Sequence, residues 1–181
     1  SVIPANAGIQ TFLRAVARSG DGASKDDSSQ IGQAMHRLLQ WQAWGEAELA
    51  AVSQTFNLSE ASAQKAKALA ITIAQGEAAW VWDETQIDWQ ANEYELPDPL
   101  HAGRWLRIDR LVRHKTSQVW WIVDFKSTAQ PEHVPALTQQ LRTYCRAVSA
   151  AMKVPLAQVQ AGFAAGDGRW ARLPSAGTLP V

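Results

Sequence analysis

Apolar positions fall at helical spacing from Ile31 to about Val52, where Ile31, Met35, Leu38, Leu39 and Ala43 recur on one side, and the pattern predicts a single helix. Asn57-Leu-Ser breaks it, and Ser59 with Glu60 opens a second helix through about Gly76. AAWVWDE at 78–84 fits helix or strand equally well. The period then shortens. Residues 90–97 alternate as far as Pro97, and 104–113 (RWLRIDRLVR) and 118–125 (QVWWIVDF) read as strands joined by the hairpin loop HKTS. A long helix is predicted from Pro135 to Met152 and ended by Pro155. After it come a strand at 158–163, a GDG turn and a short strand RWARL. Helices, three strands, a helix and one or two more strands describe an α/β domain with a central mixed β-sheet flanked by helices.

Ahead of this core, residues 19–30 (SGDGASKDDSSQ) read as a flexible loop, with Ser28 or Ser29 as the cap of the first helix. TFLRAVA at 11–17 suggests one short helix. The expected division is an N-terminal segment and loop over 1–30 and one domain over 31–181. The chain starts without Met, and a fragment of a longer polypeptide is expected.

Composition narrows the chemistry. With 17 basic and 17 acidic residues among 181, overall charge gives no nucleic-acid footprint, so any basic patch is local. The single cysteine, Cys145, allows neither an internal disulfide nor a four-cysteine metal cluster, and fits a reducing cytosol. No apolar run reaches the length of a membrane span, so no membrane partner is expected. Nine tryptophans suit a packed core, with a few left where bases could stack.

Four positions carry chemistry. In VDFKS, Asp124 and Lys126 alternate onto one face at the end of a strand whose earlier residues, VWWIV, read as buried on both faces. A weak solvated ion pair is the plain alternative. Asp109 interrupts an apolar strand, where a carboxylate is either paired, here with Arg107 or Arg110, or bound to a cation. If the two strands are neighbours, Asp109 and Asp124 converge, and a divalent cation relieves their repulsion. His36 shares a helix face with Gly32 and Leu39, with Gly32 giving room for a close approach. It is a core histidine or a ligand. Gln140 and Tyr144 stand one turn apart on the long helix and either stitch helix to sheet or orient a substrate.

In this order, Gly32–His36, Ile108–Asp109–Arg110, Asp124–Phe125–Lys126 and Gln140–Leu141–Tyr144 resemble the RecB-like nucleases of the PD-(D/E)XK superfamily, over about residues 31–163. Ile108 stands where the superfamily has its proline. The resemblance implies a restriction-endonuclease-like core and a metal-dependent deoxyribonuclease, an exonuclease, using Mg²⁺ or Mn²⁺. Catalytic residues would be Asp109, Asp124 and Lys126. Metal ligands would be His36, Asp109, Asp124 and the main-chain carbonyl of Phe125, with Gln140 and Tyr144 as the accessory pair and Glu93 matching a further acidic position. Arg107, Arg113 and Arg142 are candidate phosphate contacts. The lone cysteine leaves no iron–sulfur cluster of the kind some cousins carry. Within the family the chain looks most like the C-terminal nuclease domain of RecB- or AddA-type helicase–nucleases. That implies DNA as substrate, a helicase domain in the same parent chain, a second helicase–nuclease subunit as a further partner, a role in DNA repair and recombination, and a bacterial cytosol near the nucleoid. A free-standing exonuclease, a CRISPR-linked enzyme and an inactive DNA-binding or structural module are the alternatives.

Overall fold

The computed structural model describes residues 25–174. They fall into two compact units divided after Ala74.

Among the described residues, the first unit holds three helices, α1 (Lys25–Trp41), α2 (Glu46–Phe56) and α3 (Glu60–Ala74). Ile31, Ala34, Met35, Leu38 and Leu39 bury one stripe of α1 at the three- and four-residue spacing of an amphipathic helix. Two expectations change. Lys25 is already helical, so Ser28 and Ser29 lie within the helix rather than capping it, and residues 25–30 are not loop. The predicted single helix to Val52 is two. Gln42 turns left-handed at φ 52° with its N–H donated to the Leu38 carbonyl, and Gly45 enters α2 extended. The apolar spacing runs straight across this break, which hid it. α2 closes on the left-handed Asn57, at the Asn-Leu-Ser break read from sequence. The stretch TFLRAVA and residues 19–24 lie outside the described residues.

The second unit is a five-stranded mixed sheet in the order β1 (Ile87–Pro97), β2 (Trp105–His114), β3 (Trp120–Lys126), β4 (Val159–Ala165), β5 (Trp170–Arg172). β3 and β4 are parallel and every other neighbouring pair is antiparallel. Parallel strands need a crossover, and α4 (Pro135–Met152) supplies it. The sequence marks both its ends. Pro135 sits in the first turn, where its missing N–H costs nothing, and the left-handed Lys153 stops the helix ahead of Pro155. The ambiguous AAWVWDE contains a single turn of 3₁₀ helix, Ala79–Trp82.

β3 is the middle strand and is buried almost throughout, as its run of large apolar residues predicts. α4 packs on the sheet through Leu141, Tyr144, Cys145 and Val148, in one core with Ile108, Leu111, Trp120, Ile122 and Phe163. No helix among the described residues is long and apolar enough to cross a membrane.

Candidate active site

The β2–β3 ladder runs from Arg113↔Trp120 to Arg110↔Val123 and stops. The next step of the same register sets Asp109 opposite Asp124, the point at which the strands part. A strand that loses its neighbour leaves main-chain donors to be satisfied. Asp109 answers one of them: its Oδ2 accepts the N–H of Phe125 at 2.8 Å. In an extended strand a residue's carbonyl leaves on the same edge as its N–H, so the Phe125 carbonyl is directed toward Asp109 as well.

Asp124 is 4% exposed. Its Oδ2 lies 2.6 Å from Nζ of Lys126, two residues on and on the same face. Lys126 keeps about a quarter of its side chain in solvent.

On the far side of Asp109 stands Glu93. The pairs Asn92↔Arg110 and Tyr94↔Ile108 bracket it, which puts Glu93 across from Asp109 in register. Glu93 has φ 50°, a left-handed conformation rare for a non-glycine residue and rarer within a strand. Holding it there costs about 1–3 kcal/mol, and such strain gathers at functional sites. One oxygen of its carboxylate lies within 4.8 Å of one oxygen of Asp109. Glu93 thus stands in a row of three acids across three adjacent strands.

Two carboxylates this close repel when both are ionised, and a divalent cation removes the conflict. Hard oxygen donors on rigid strands suit Mg²⁺ or Mn²⁺. The donor set therefore fits a metal of this class.

The accessory pair borders the same place. Gln140 Nε2 donates to the Tyr144 hydroxyl at 2.6 Å. Burial holds the Tyr144 phenol above its ordinary pKa; the bond from Gln140 opposes this, and the charges of Asp124 and Asp109 push it further up. The phenol is thus within electrostatic reach of both aspartates.

The candidate phosphate contacts separate. Arg107 is exposed, with Nε 2.9 Å from Glu93 Oε2. Arg113 pairs with Asp88 at 2.8 Å and lies over the Trp120 ring. Arg142 lines a cavity of about 500 Å³ with Arg146, Cys145 and Leu156. Two residues after Gln140, it leaves the helix about 200° around from it. His36 belongs to the helical unit, half-buried on α1. A Cβ placed on Gly32 would meet no atom within 4 Å among the described residues, so the expected close approach at this glycine is not found.

Arg110 was a candidate partner for Asp109, but its guanidinium turns the other way. It donates to the Val81 carbonyl from Nε and Nη2, to Asn92 Oδ1 and to Gln90 Oε1, and lies against the Trp82 ring. Burial lowers its pKa to about 10.

No curated protein matches the chain closely enough to count as a relative. The family comparison is positive: residues 9–172 match the PD-(D/E)XK nuclease superfamily. The mixed five-stranded sheet with its helices agrees with the restriction-endonuclease-like fold of that group, whose nucleases use divalent metals. By a match that covers most of its length, the chain belongs to the PD-(D/E)XK nuclease superfamily.

Proposed function

We propose that this chain is a Mg²⁺- or Mn²⁺-dependent deoxyribonuclease, an exonuclease that serves as the cutting module of a RecB/AddA-type helicase–nuclease in DNA repair and recombination. One observation carries the hydrolytic part. Asp109 and Asp124 come from neighbouring strands at the point where their ladder ends, with Lys126 2.6 Å from Asp124. The helicase-linked setting rests on the order of the sequence motifs, and it brings a motor domain and a second subunit as partners.

Phosphodiester hydrolysis needs a nucleophile at neutral pH and relief of charge on the phosphate, and a bound divalent metal supplies both. Asp109 and Asp124 would hold it, with Glu93 and the Phe125 carbonyl beside them. His36 is the ligand the resemblance adds from the helical unit. Lys126 presents a cation next to Asp124, where negative charge gathers in the transition state. Gln140 and Tyr144 orient the scissile phosphate through a hydroxyl already fixed by a 2.6 Å bond. Arg107, exposed beside Glu93, is the arginine nearest the acidic row and is assigned to DNA phosphate.

The test is a pair of measurements on one set of variants. Mn²⁺ binding by calorimetry is expected for the unmodified protein and for Lys126→Ala, and to be lost in Asp109→Ala and Asp124→Ala. Metal-dependent cutting of a labelled oligonucleotide is expected only in the unmodified protein. Cutting retained by Lys126→Ala overturns the site, and absence of Mn²⁺ binding in the unmodified protein makes the chain an inert member of its family.

A further inference from the structure

Beyond the acidic row, β2 carries a second feature. From Trp105 to Ile108 its open positions alternate with buried ones, so Trp105 and Arg107 share the open face, and the Arg107–Glu93 ion pair at 2.9 Å leads from that face to the acidic row. The Trp105 indole is 66% exposed, a large apolar ring in water. On either side stand Arg104 and Arg107, with side chains 63% and 65% exposed. Four residue steps along the strand separate Trp105 from Asp109, about 13 Å.

The ring is held from a built loop. The Asp98 side chain is shut off from solvent. It accepts the N–H of Leu100 at 2.9 Å, meets the His101 ring at 2.9 Å and pairs with Arg104 at 3.7 Å. The N–H of Asp98 donates to the Arg104 carbonyl at 2.8 Å, and Gly103 makes the turn at φ 80°. Arg104 and Trp105 therefore enter β2 from a fixed frame. Ordering this stretch of backbone in advance removes part of a cost that binding would otherwise meet.

We propose that Trp105 is a stacking platform for an unpaired base of the strand being cut, with Arg104 and Arg107 on the flanking phosphates. This rests on the nuclease reading of the acidic row and adds a substrate class to it, single-stranded DNA. An indole stacks on the open face of any base, whereas bases in a duplex are covered by their neighbours. The 13 Å or so to Asp109 is spanned by about four nucleotides stacked at 3.4 Å, and by fewer in an extended strand. An apolar protein surface could cover the ring, but cations on both sides and an acidic row reached through the Arg107–Glu93 pair match a polyanion that runs past the ring toward that row.

Binding of fluorescein-labelled oligo(dT), and of a duplex of equal length, is measured by anisotropy without divalent metal for the unmodified protein, Trp105→Ala and Trp105→Phe. Trp105→Ala is expected to weaken oligo(dT) binding about tenfold and duplex binding less than about twofold, with Trp105→Phe within about threefold of the unmodified protein. Equal loss on both DNAs, no loss, or failure of Trp105→Phe to restore binding overturns the platform. Metal-dependent cutting of the same oligo(dT) by the unmodified protein is read in parallel. Trp105-dependent binding without cutting removes the nuclease reading and leaves the platform. Cutting with binding indifferent to Trp105 removes the platform alone.

Discussion

Asp109 and Arg110 are consecutive on β2, and the fold treats their charges in opposite ways. Arg110 is 2% exposed and donates to a main-chain carbonyl and two side-chain amides, with an indole face against it. Each acceptor is neutral and comes from β1 or the 3₁₀ turn before it, so the guanidinium ties those elements to β2. Asp109 is set beside other acids, with a Glu93 oxygen within 4.8 Å and Asp124 across the end of the ladder. A charge surrounded by fitted neutral partners holds structure together. A charge placed among its own sign stores conflict, and the natural relief is a cation.

That contrast can be broken by exchange. Asp109→Asn should cut nuclease activity by at least about a hundredfold while the thermal midpoint stays level or rises, because like charge has been removed. Arg110→Met should do the reverse, lowering stability by about 3 kcal/mol through lost hydrogen bonds and packing while Mn²⁺ still binds to the folded fraction. Chemical denaturation and calorimetry on both proteins decide it; equal stability losses would erase the distinction. Glu93→Gly sharpens it. Glycine in a strand ordinarily costs stability, but at φ 50° it relieves about 1 kcal/mol of strain, so stability should hold while metal affinity falls.

The smallest effect concerns the loop before β2. The N–H of Leu100, above all, holds the Asp98 carboxyl below the usual carboxylate range, with His101 and Arg104 assisting. A carboxylate with a depressed folded-state pKa contributes stability that is complete above its ordinary pKa and is lost as pH falls through the folded value. The Leu100 amide resonance should therefore stay constant from neutral pH down through the ordinary carboxylate range and move only below it. Movement already near pH 5 would mean that the loop is not anchored by this carboxylate.

Much of this was legible in the sequence where one local rule decides. α4 runs between Pro135 at its start and Pro155 just past its end, and β2 and β3 declare themselves by apolar runs on either side of a short loop. Asp109, Asp124 and Lys126 stood out because charge is costly in such strands. The break at Gln42 was hidden because Trp41 and Ala43 continue the helical spacing, and only the backbone turn at Gln42 ends α1. Glu93 could not be placed beside Asp109 from sequence because its position depends on strand register. Counting back across the Pro97–Trp105 turn would have set it opposite Asp109, had the pairing been known. Arg110 was misjudged as a partner for Asp109 because its acceptors lie 18 to 29 residues earlier in the chain, beyond the reach of any local pattern.

The β1–β2–β3 meander also has a consequence for how the chain folds. Glu93, Asp109, Asp124 and Lys126 all lie between residues 93 and 126, on strands joined by short turns. Closing such short loops costs little entropy, so these pairings can form early. The parallel partner β4 arrives only after a crossover of more than thirty residues, and it pairs with β3 along its full length. The acidic row is thus inscribed in a local hairpin assembly, and the non-local step is the docking of α4 and β4, which brings Tyr144 to it. A nascent chain stopped before residue 135 would already carry the three acids and the lysine, without the phenol that borders them.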